Sequence, residues 1–179
     1  IGFGLMGIVL SSFTTFFVQM LVDEGWSTAR GGAILSVILV MGVVAQPVGG
    51  RLFDLYGGRV VYGGAVVGSA LSVIVFSTTS GAVSLIAVGG VAFFGFAMFP
   101  VGLALASQLA TDGQTGAAVG FTFGLSSLMA TVTKPLFGAL AQSMGDIRSA
   151  LPWTLVVLAV ALVMATRFDS GHVTANKIV

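Results

Sequence analysis

The sequence predicts an all-α integral membrane protein in which six transmembrane helices form two inverted three-helix repeats. Its composition, the length of its apolar runs and a repeat at a fixed spacing each point to this fold. Of its 179 residues, 56% are hydrophobic and 7% are charged, and the mean hydropathy is +1.09. Soluble domains carry charge on roughly a quarter of their residues. The chain is therefore expected to fold in a lipid bilayer.

Six apolar runs are long enough to cross the membrane as helices. The hydrocarbon layer is about 30 Å thick and takes about 20 helical residues, whereas a β-barrel strand has about ten residues of alternating polarity. These runs are continuous, which favours helices. The predicted spans are 1–22, 28–49, 59–78, 82–108, 115–142 and 149–167, with a loop at 51–59. They belong to one unit, residues 1–168, which is followed by a polar tail, residues 169–179.

The basic residues of the short connections predict the orientation. Lysine and arginine are enriched in cytoplasmic loops. A cytoplasmic N-terminus places four basic residues inside and two outside, and the four are Arg51, Arg59, Arg167 and Lys177. Arg30 and Arg148 then lie outside. This arrangement predicts a multi-pass protein of the plasma (inner) membrane with a cytoplasmic C-terminal tail.

An offset of 88 residues aligns the sequence with itself. It pairs Pro47, Gly50, Leu52 and Gly57 with Pro135, Gly138, Leu140 and Gly145. Six glycines coincide in all, where about two are expected from the glycine frequency. The offset spans three helices, an odd number, so the second copy is predicted to be upside down relative to the first, as in secondary transporters. The repeats are roughly 1–78 and 82–167.

An aspartate, two glycines and an arginine are regularly spaced between the second and third spans. Gly50, Asp54, Gly57 and Arg59 resemble the signature loop of the major facilitator superfamily, although Leu55 stands where a basic residue is usual. With the six spans and the repeat, the whole chain resembles the C-terminal half of such a transporter, its helices seven to twelve. The resemblance implies an N-terminal six-helix half as a partner.

The chemistry of these four residues suits a latch. Gly50 and Gly57 allow close approach and a tight turn, and Asp54 is suited to accept hydrogen bonds at a helix N-terminus. Arg59 is suited to pair with a carboxylate or a lipid phosphate. In the resembling family this loop helps to hold the cytoplasmic side closed. An ordinary cytoplasmic turn is the alternative interpretation.

One side of the fifth span carries small and polar residues. On a helix at 100° per residue, an arc of about 80° holds Gly116, Gly120, Gly124, Ser127, Thr131, Lys134 and Gly138. Glycines four residues apart allow another helix to pack closely. This face is therefore expected to meet protein.

Lys134 is a charge well inside a predicted span. An ammonium costs about 3 kcal/mol at the centre of a membrane helix on insertion scales, and it usually faces a partner or a wet cavity. Two interpretations stay open: Lys134 lines a substrate cavity, or its side chain reaches outward to the interface. Pro135 beside it, and Pro47 in the second span, each remove a backbone hydrogen bond and predict a kink.

Further candidates for a cavity lie on the first span. Ser11, Thr15 and Gln19 share one stripe there. Hydroxyls in membrane helices often bond to their own backbone instead, so each residue has a structural alternative. The run FFGFAMFP, residues 93–100, is interpreted as packing.

The resemblance implies secondary active transport of a small organic solute by alternating access, with a proton or a counter-substrate as coupling partner. Drug or metabolite efflux within the same superfamily is the alternative. A six-helix channel or a membrane interaction protein is a third, weaker hypothesis.

Other classes have little support in the sequence. A rhomboid-type protease needs a histidine within the membrane, and His172 lies in the polar tail. There is no HExxH motif and no cysteine, so no enzyme activity, metal or cofactor is expected. The net charge of +1 gives no case for nucleic acid. Because the chain begins at Ile1 without an initiator methionine, we expect it to be a fragment.

Overall fold

The computed structural model describes residues 1–108, 110, 111 and 113–167. Residues 166 and 167 are described by their backbone alone. The regular elements in these ranges are all helical. They are α1 (Gly2–Asp23), α2 (Thr28–Thr78), α3 (Gly81–Gln108), α4 (Thr115–Met144), α5 (Ile147–Ala150), a 3-10 turn (Leu151–Trp153) and α6 (Thr154–Arg167). Five of the described helical stretches are long and apolar enough to cross a membrane. The predicted tail, residues 169–179, lies outside the described residues.

The 51-residue helix α2 is folded back on itself at Gly57. A straight helix of that length would extend about 75 Å, more than twice the thickness of the hydrocarbon layer. Gly57 has φ 78° and ψ 165°, a conformation open mainly to glycine. It divides α2 into two arms, which we name α2a (28–56) and α2b (58–78).

Contacts with α3 show that the arms run in opposite directions. A Cβ placed on Gly89 of α3 would lie 3.2 Å from Met41 of α2a, and one on the adjacent Gly90 would lie 2.5 Å from Ser72 of α2b. Both arms thus return to the same level of α3. The loop predicted at 51–59 is wrong in extent, because the helix continues through its polar residues and only Gly57 leaves it. One glycine is enough to reverse the chain.

Helices α2a and α3 cross closely at Gly49. A Cβ on Gly49 would lie 2.1 Å from the carbonyl oxygen of Ala97, so the backbones of α2a and α3 are in direct contact. At Gly50 the nearest atom is the Cβ of Pro100 at 3.8 Å, an ordinary contact. The close approach that the sequence predicted for Gly50 is therefore made by its neighbour.

The core surrounds α1, which contacts α2, α3, α4 and α6. Phe13 and Phe17 of α1 are almost fully buried, and the Phe13 ring meets Phe76 of α2b edge to face at 5.4 Å. Helix α4 is covered on one narrow side, where Phe137 packs against Phe16 with ring centroids 5.0 Å apart. Most of α4 is open to its surroundings.

Glycines with positive φ mark the turns of the described chain. They are Gly25, Gly57, Gly81, Gly113 and Gly145. Four of them form two pairs at the offset of 88 residues, with φ values of 89° and 79° for the first pair and 78° and 77° for the second. The fifth, Gly81, falls between the two repeats. The offset found in the sequence therefore pairs turns as well as residue types.

Candidate functional site

A cavity of about 290 Å³ lies between α1, α3 and α4. Its lining comes from α1 between Phe3 and Thr15, from α3 between Gly95 and Phe99, from α4 between Phe123 and Lys134, and from Leu39 of α2a. The lining is mostly apolar, with a few polar groups. This composition is typical of small-molecule sites.

Lys134 is part of the lining and is half-buried. The side of α4 that packs on the rest of the chain carries Ser126, Phe137 and Ala141. Lys134 lies beside this strip, so the helix turns it toward the cavity rather than to the outside. In the described part of the chain its ammonium makes no hydrogen bond and no ion pair. A membrane ammonium without a protein partner favours water or an anion beside it.

Three hydroxyl groups of the described lining donate no hydrogen bond to a carbonyl of their own helix. Neighbouring residues follow the usual pattern: Thr14 donates to the carbonyl of Leu10 at 2.9 Å, and Ser126 donates to that of Thr122 at 2.8 Å. Among the described residues, no such bond is made by the hydroxyls of the three candidates Ser11, Thr15 and Ser127. Ser11 is half-buried, and Thr15 and Ser127 are exposed, so these groups are available to a ligand.

Two of the predicted cavity residues lie elsewhere. The Gln19 amide donates to Asp23 Oδ1 at 2.8 Å and is exposed. Thr131 is exposed and does not line the cavity. The structure therefore brings together Lys134, Ser11, Thr15 and Ser127, and leaves Gln19 and Thr131 outside.

Four phenylalanines form an aromatic wall at one end of the cavity. Phe3 meets Phe99 at 5.5 Å and Phe123 at 5.2 Å between ring centroids, and Phe96 lies 6.0 Å from Phe99. The sequence interpretation of residues 93–100 as packing holds for Phe94, which contacts Gly68. It missed Phe96 and Phe99, because α3 is apolar on every side and its pattern identifies no cavity face.

Nearly the whole chain matches the model of one known family. The family model described as Major Facilitator Superfamily matches residues 1–177. The chain belongs to the Major Facilitator Superfamily. It is accordingly a membrane transporter. A search of the curated proteins found no match to this chain.

The loop that resembles the signature of this superfamily lies at the Gly57 reversal. Asp54 is in the last turn of α2a, not at the start of a helix as predicted, because the helix continues to Tyr56. Its carboxylate is exposed, and the described residues offer it no hydrogen bond or ion pair. Arg59 lies in the first turn of the opposite arm. The latch role of these residues in the superfamily fold stays a prediction.

The glycine row of α4 faces away from the described helices. Cβ atoms on Gly116, Gly120 and Gly124 would meet no atom within 4 Å. Within the described ranges, close packing on this row is therefore not observed. Close packing on this row stays a prediction, and its partner would be a surface beyond the described helices.

Arg148 is a structural centre that sequence reasoning missed. It lies at the far end of α2b from Gly57, in the short helix α5, which Asp146 caps by accepting from the Arg148 amide at 3.0 Å. Its guanidinium donates to the carbonyls of Phe76, at 3.2 Å, and of Thr79, and to the Ser84 hydroxyl at 3.1 Å. It also lies 4.7 Å from the Phe76 ring centroid. The cap sequence predicts the turn, but nothing in it predicts these distant partners.

Proposed function

We propose that this chain carries out secondary active transport of a small organic solute by alternating access, with the cavity as its share of the substrate site. The observation that carries the proposal is the group of unpartnered polar side chains, Lys134 with Ser11, Thr15 and Ser127, facing one cavity in a membrane transporter. Unsatisfied polar groups at membrane depth are costly. A substrate that binds there satisfies them.

The proposal includes six spans arranged as two inverted repeats. Counting α2a and α2b separately gives six segments, and α5 with α6 forms the last. Support comes from the two glycines that end corresponding segments, Gly57 and Gly145. Arg148, close to Gly145, bonds to the carbonyl of Thr79 at the far end of α2b, so the two reversals lie at opposite ends of the bundle. Copies related by inversion have turns on opposite sides of the membrane.

The two prolines fit the same arrangement. Pro47 and Pro135 each lie ten residues before the positive-φ glycine that ends their helix. Since those glycines are at opposite ends, the prolines belong to helices of opposite direction. In this proposal the Gly57 end is cytoplasmic, as are Asp54 and Arg59. A kink in each copy places a deformable point in a helix that moves between the open states.

A second six-helix half is the proposed partner. The open faces of α2a and α4 support it, since exposed side chains of α2a include Val37, Val40, Val43 and Val44 and the glycine row of α4 is bare. Glycine rows let helix backbones approach closely in membranes. The second half would complete the cavity, and a proton or a counter-substrate would couple its opening to each side.

The test uses the full-length protein reconstituted in proteoliposomes. A panel of labelled solutes covering carboxylates, amino acids, sugars and neutral amides is screened for saturable uptake and for exchange. We expect at least one solute to be transported, and Lys134→Ala to reduce its transport strongly while Lys134→Arg, which keeps the charge, retains more.

Thr131→Ala is the matched control, since this residue lies on α4 one turn before Lys134 but outside the cavity lining. It is expected to transport normally at equal expression. Wild-type rates from Lys134→Ala would remove Lys134 from the substrate site and favour a lysine that reaches the interface.

A further inference from the structure

The two ends of the cavity differ in chemistry. Phe123 and Lys134 are eleven residues apart on α4, which corresponds to a rise of about 16 Å. Side chains of a helix lean toward its N-terminus, and the lysine side chain is longer than that of phenylalanine, so the ammonium lies nearer to the aromatic level than this rise. On α1, which also lines the cavity, Phe3 and Thr15 repeat this order. One end is therefore aromatic, and the other offers a cation and hydroxyls.

The polar end selects the charge of a ligand. Lys134 is the charged residue of the described lining, and no carboxylate is found there. A cation without a counter-ion in an apolar surrounding favours an anion, and the hydroxyls of Thr15 and Ser127 are free to donate to it. One ammonium balances one negative charge. The ammonium group of a zwitterionic amino acid would find no acid in this lining.

The aromatic end selects the body of a ligand. The rings of Phe3, Phe99 and Phe123 lie 5.2 to 5.8 Å apart, within the range of favourable ring contacts. Their edges and faces suit another ring or an alkyl group, whereas a sugar would lose hydrogen bonds to water there. A ligand with many hydroxyls is thus disfavoured.

The volume of this chain's share of the cavity is enough for a small ring compound. It is about 290 Å³, and a water-sized group takes about 30 Å³, so one ring with a short acidic side chain fits. The proposed second half, which completes the cavity, would add to this volume.

We infer that the substrate site takes a small aromatic monocarboxylate, with its carboxylate at Lys134 and its ring among Phe3, Phe99 and Phe123. The inference rests on the proposed transport function, since it names the substrate class of that same cavity. Lys134 neutralises the carboxylate, Thr15 and Ser127 donate to its oxygens, and the aromatic wall covers the ring. The charge and the ring are each needed for tight binding.

The experiment measures uptake of four labelled probes by the full-length protein in proteoliposomes. Phenylacetate carries both features, acetate lacks the ring, phenylacetamide lacks the charge and phenylalanine adds an ammonium. We expect phenylacetate to have a KM at least about tenfold below that of acetate, the difference that one buried ring contact supplies. Phenylacetamide and phenylalanine are expected to be poor substrates.

Two substitutions on α4 separate ring binding from folding. Phe123→Leu keeps an apolar side chain but removes the ring, and it is expected to raise the KM of phenylacetate several-fold. Phe121→Leu is its control, because Phe121 is 71% exposed and does not line the cavity. Equal kinetics for Phe123→Leu and Phe121→Leu would overturn the assignment of the ring.

The outcomes distinguish this inference from the transport proposal. Saturable uptake of acetate, a sugar or a neutral solute with no gain from the phenyl group or the charge would overturn the aromatic monocarboxylate and leave transport standing. The lack of saturable uptake of every probe and every panel solute, by protein that elutes as a single folded species, would overturn transport itself.

Discussion

Arg148 and Glu24 form a salt bridge between residues 124 positions apart in the chain, with Nη1 2.6 Å from Oε1. Glu24 follows the end of α1, and the same guanidinium bonds to groups at the end of α2b and the start of α3. One side chain therefore ties together three helix ends that the sequence separates widely. Helix C-termini favour a cation, because their last carbonyls lack partners within the helix.

Replacing Arg148 with lysine is expected to lower the thermal stability of the protein in detergent. Lysine keeps the charge but cannot reach several acceptors at once, so we expect a loss of about 1.5–3 kcal/mol, the range for hydrogen bonds to charged groups. Glu24→Gln is the control. It removes only the ion pair, whose side chains are 23% and 36% exposed, and should cost below about 1 kcal/mol. Equal losses would place the stabilisation in the ion pair instead.

Two adjacent glycines of α2a should respond very differently to alanine. A Cβ on Gly49 would overlap the carbonyl oxygen of Ala97, and neither backbone has room to move without separating α2a from α3. We expect Gly49→Ala to cost more than about 3 kcal/mol and to lower the yield of folded protein. Gly50→Ala makes an ordinary contact with Pro100 and should change stability little. The two melting temperatures, compared by thermal unfolding in detergent, would contradict the close crossing if they agreed.

Adjacent positions on α4 should differ in access to water. The chain has no cysteine of its own, so Ser127→Cys and Leu128→Cys each introduce a single thiol into it. Both residues are exposed, but Ser127 lines the cavity, whereas Leu128 lies on another side of α4. Because the reactive form is the thiolate, which needs water, a water-soluble thiosulfonate should label Ser127→Cys at least about tenfold faster. Equal labelling rates in the full-length membrane protein would mean that the cavity is dry.

The charge of Asp54 is expected to matter for transport but not for folding. Asp54→Asn keeps the volume and removes the charge, so a latch predicts a severalfold fall in transport rate at normal expression. Asp23→Asn makes the same change at the other end of the bundle, where Gln19 is its hydrogen-bond partner, and serves as control. Unchanged uptake kinetics for Asp54→Asn would reduce the loop to a turn.

The helices could be predicted from the sequence because membrane spans require long apolar runs. The extent of the turn between α2a and α2b could not be predicted. Charged residues such as Arg51 and Asp54 are typical of a loop, but they are equally compatible with the exposed end of a helix, which is where they lie. Lys134 and three hydroxyls could be predicted to line a cavity because polar groups are rare in a span. Phe99 could not, because one ring among many apolar neighbours carries no signal.

The reversal at Gly57 leaves almost no hydrophilic connection between α2a and α2b. Protease sites, glycosylation acceptors and epitope tags are used to map topology, and each needs several flexible residues outside the membrane. Here the helix continues to Tyr56 and resumes at Gly58, so the connection does not provide them. Topology reporters inserted at this point would have to unwind the ends of both arms. The pair is therefore expected to enter the bilayer during synthesis as one helical hairpin, and mapping of the membrane sides is better done at single substituted residues than by insertion.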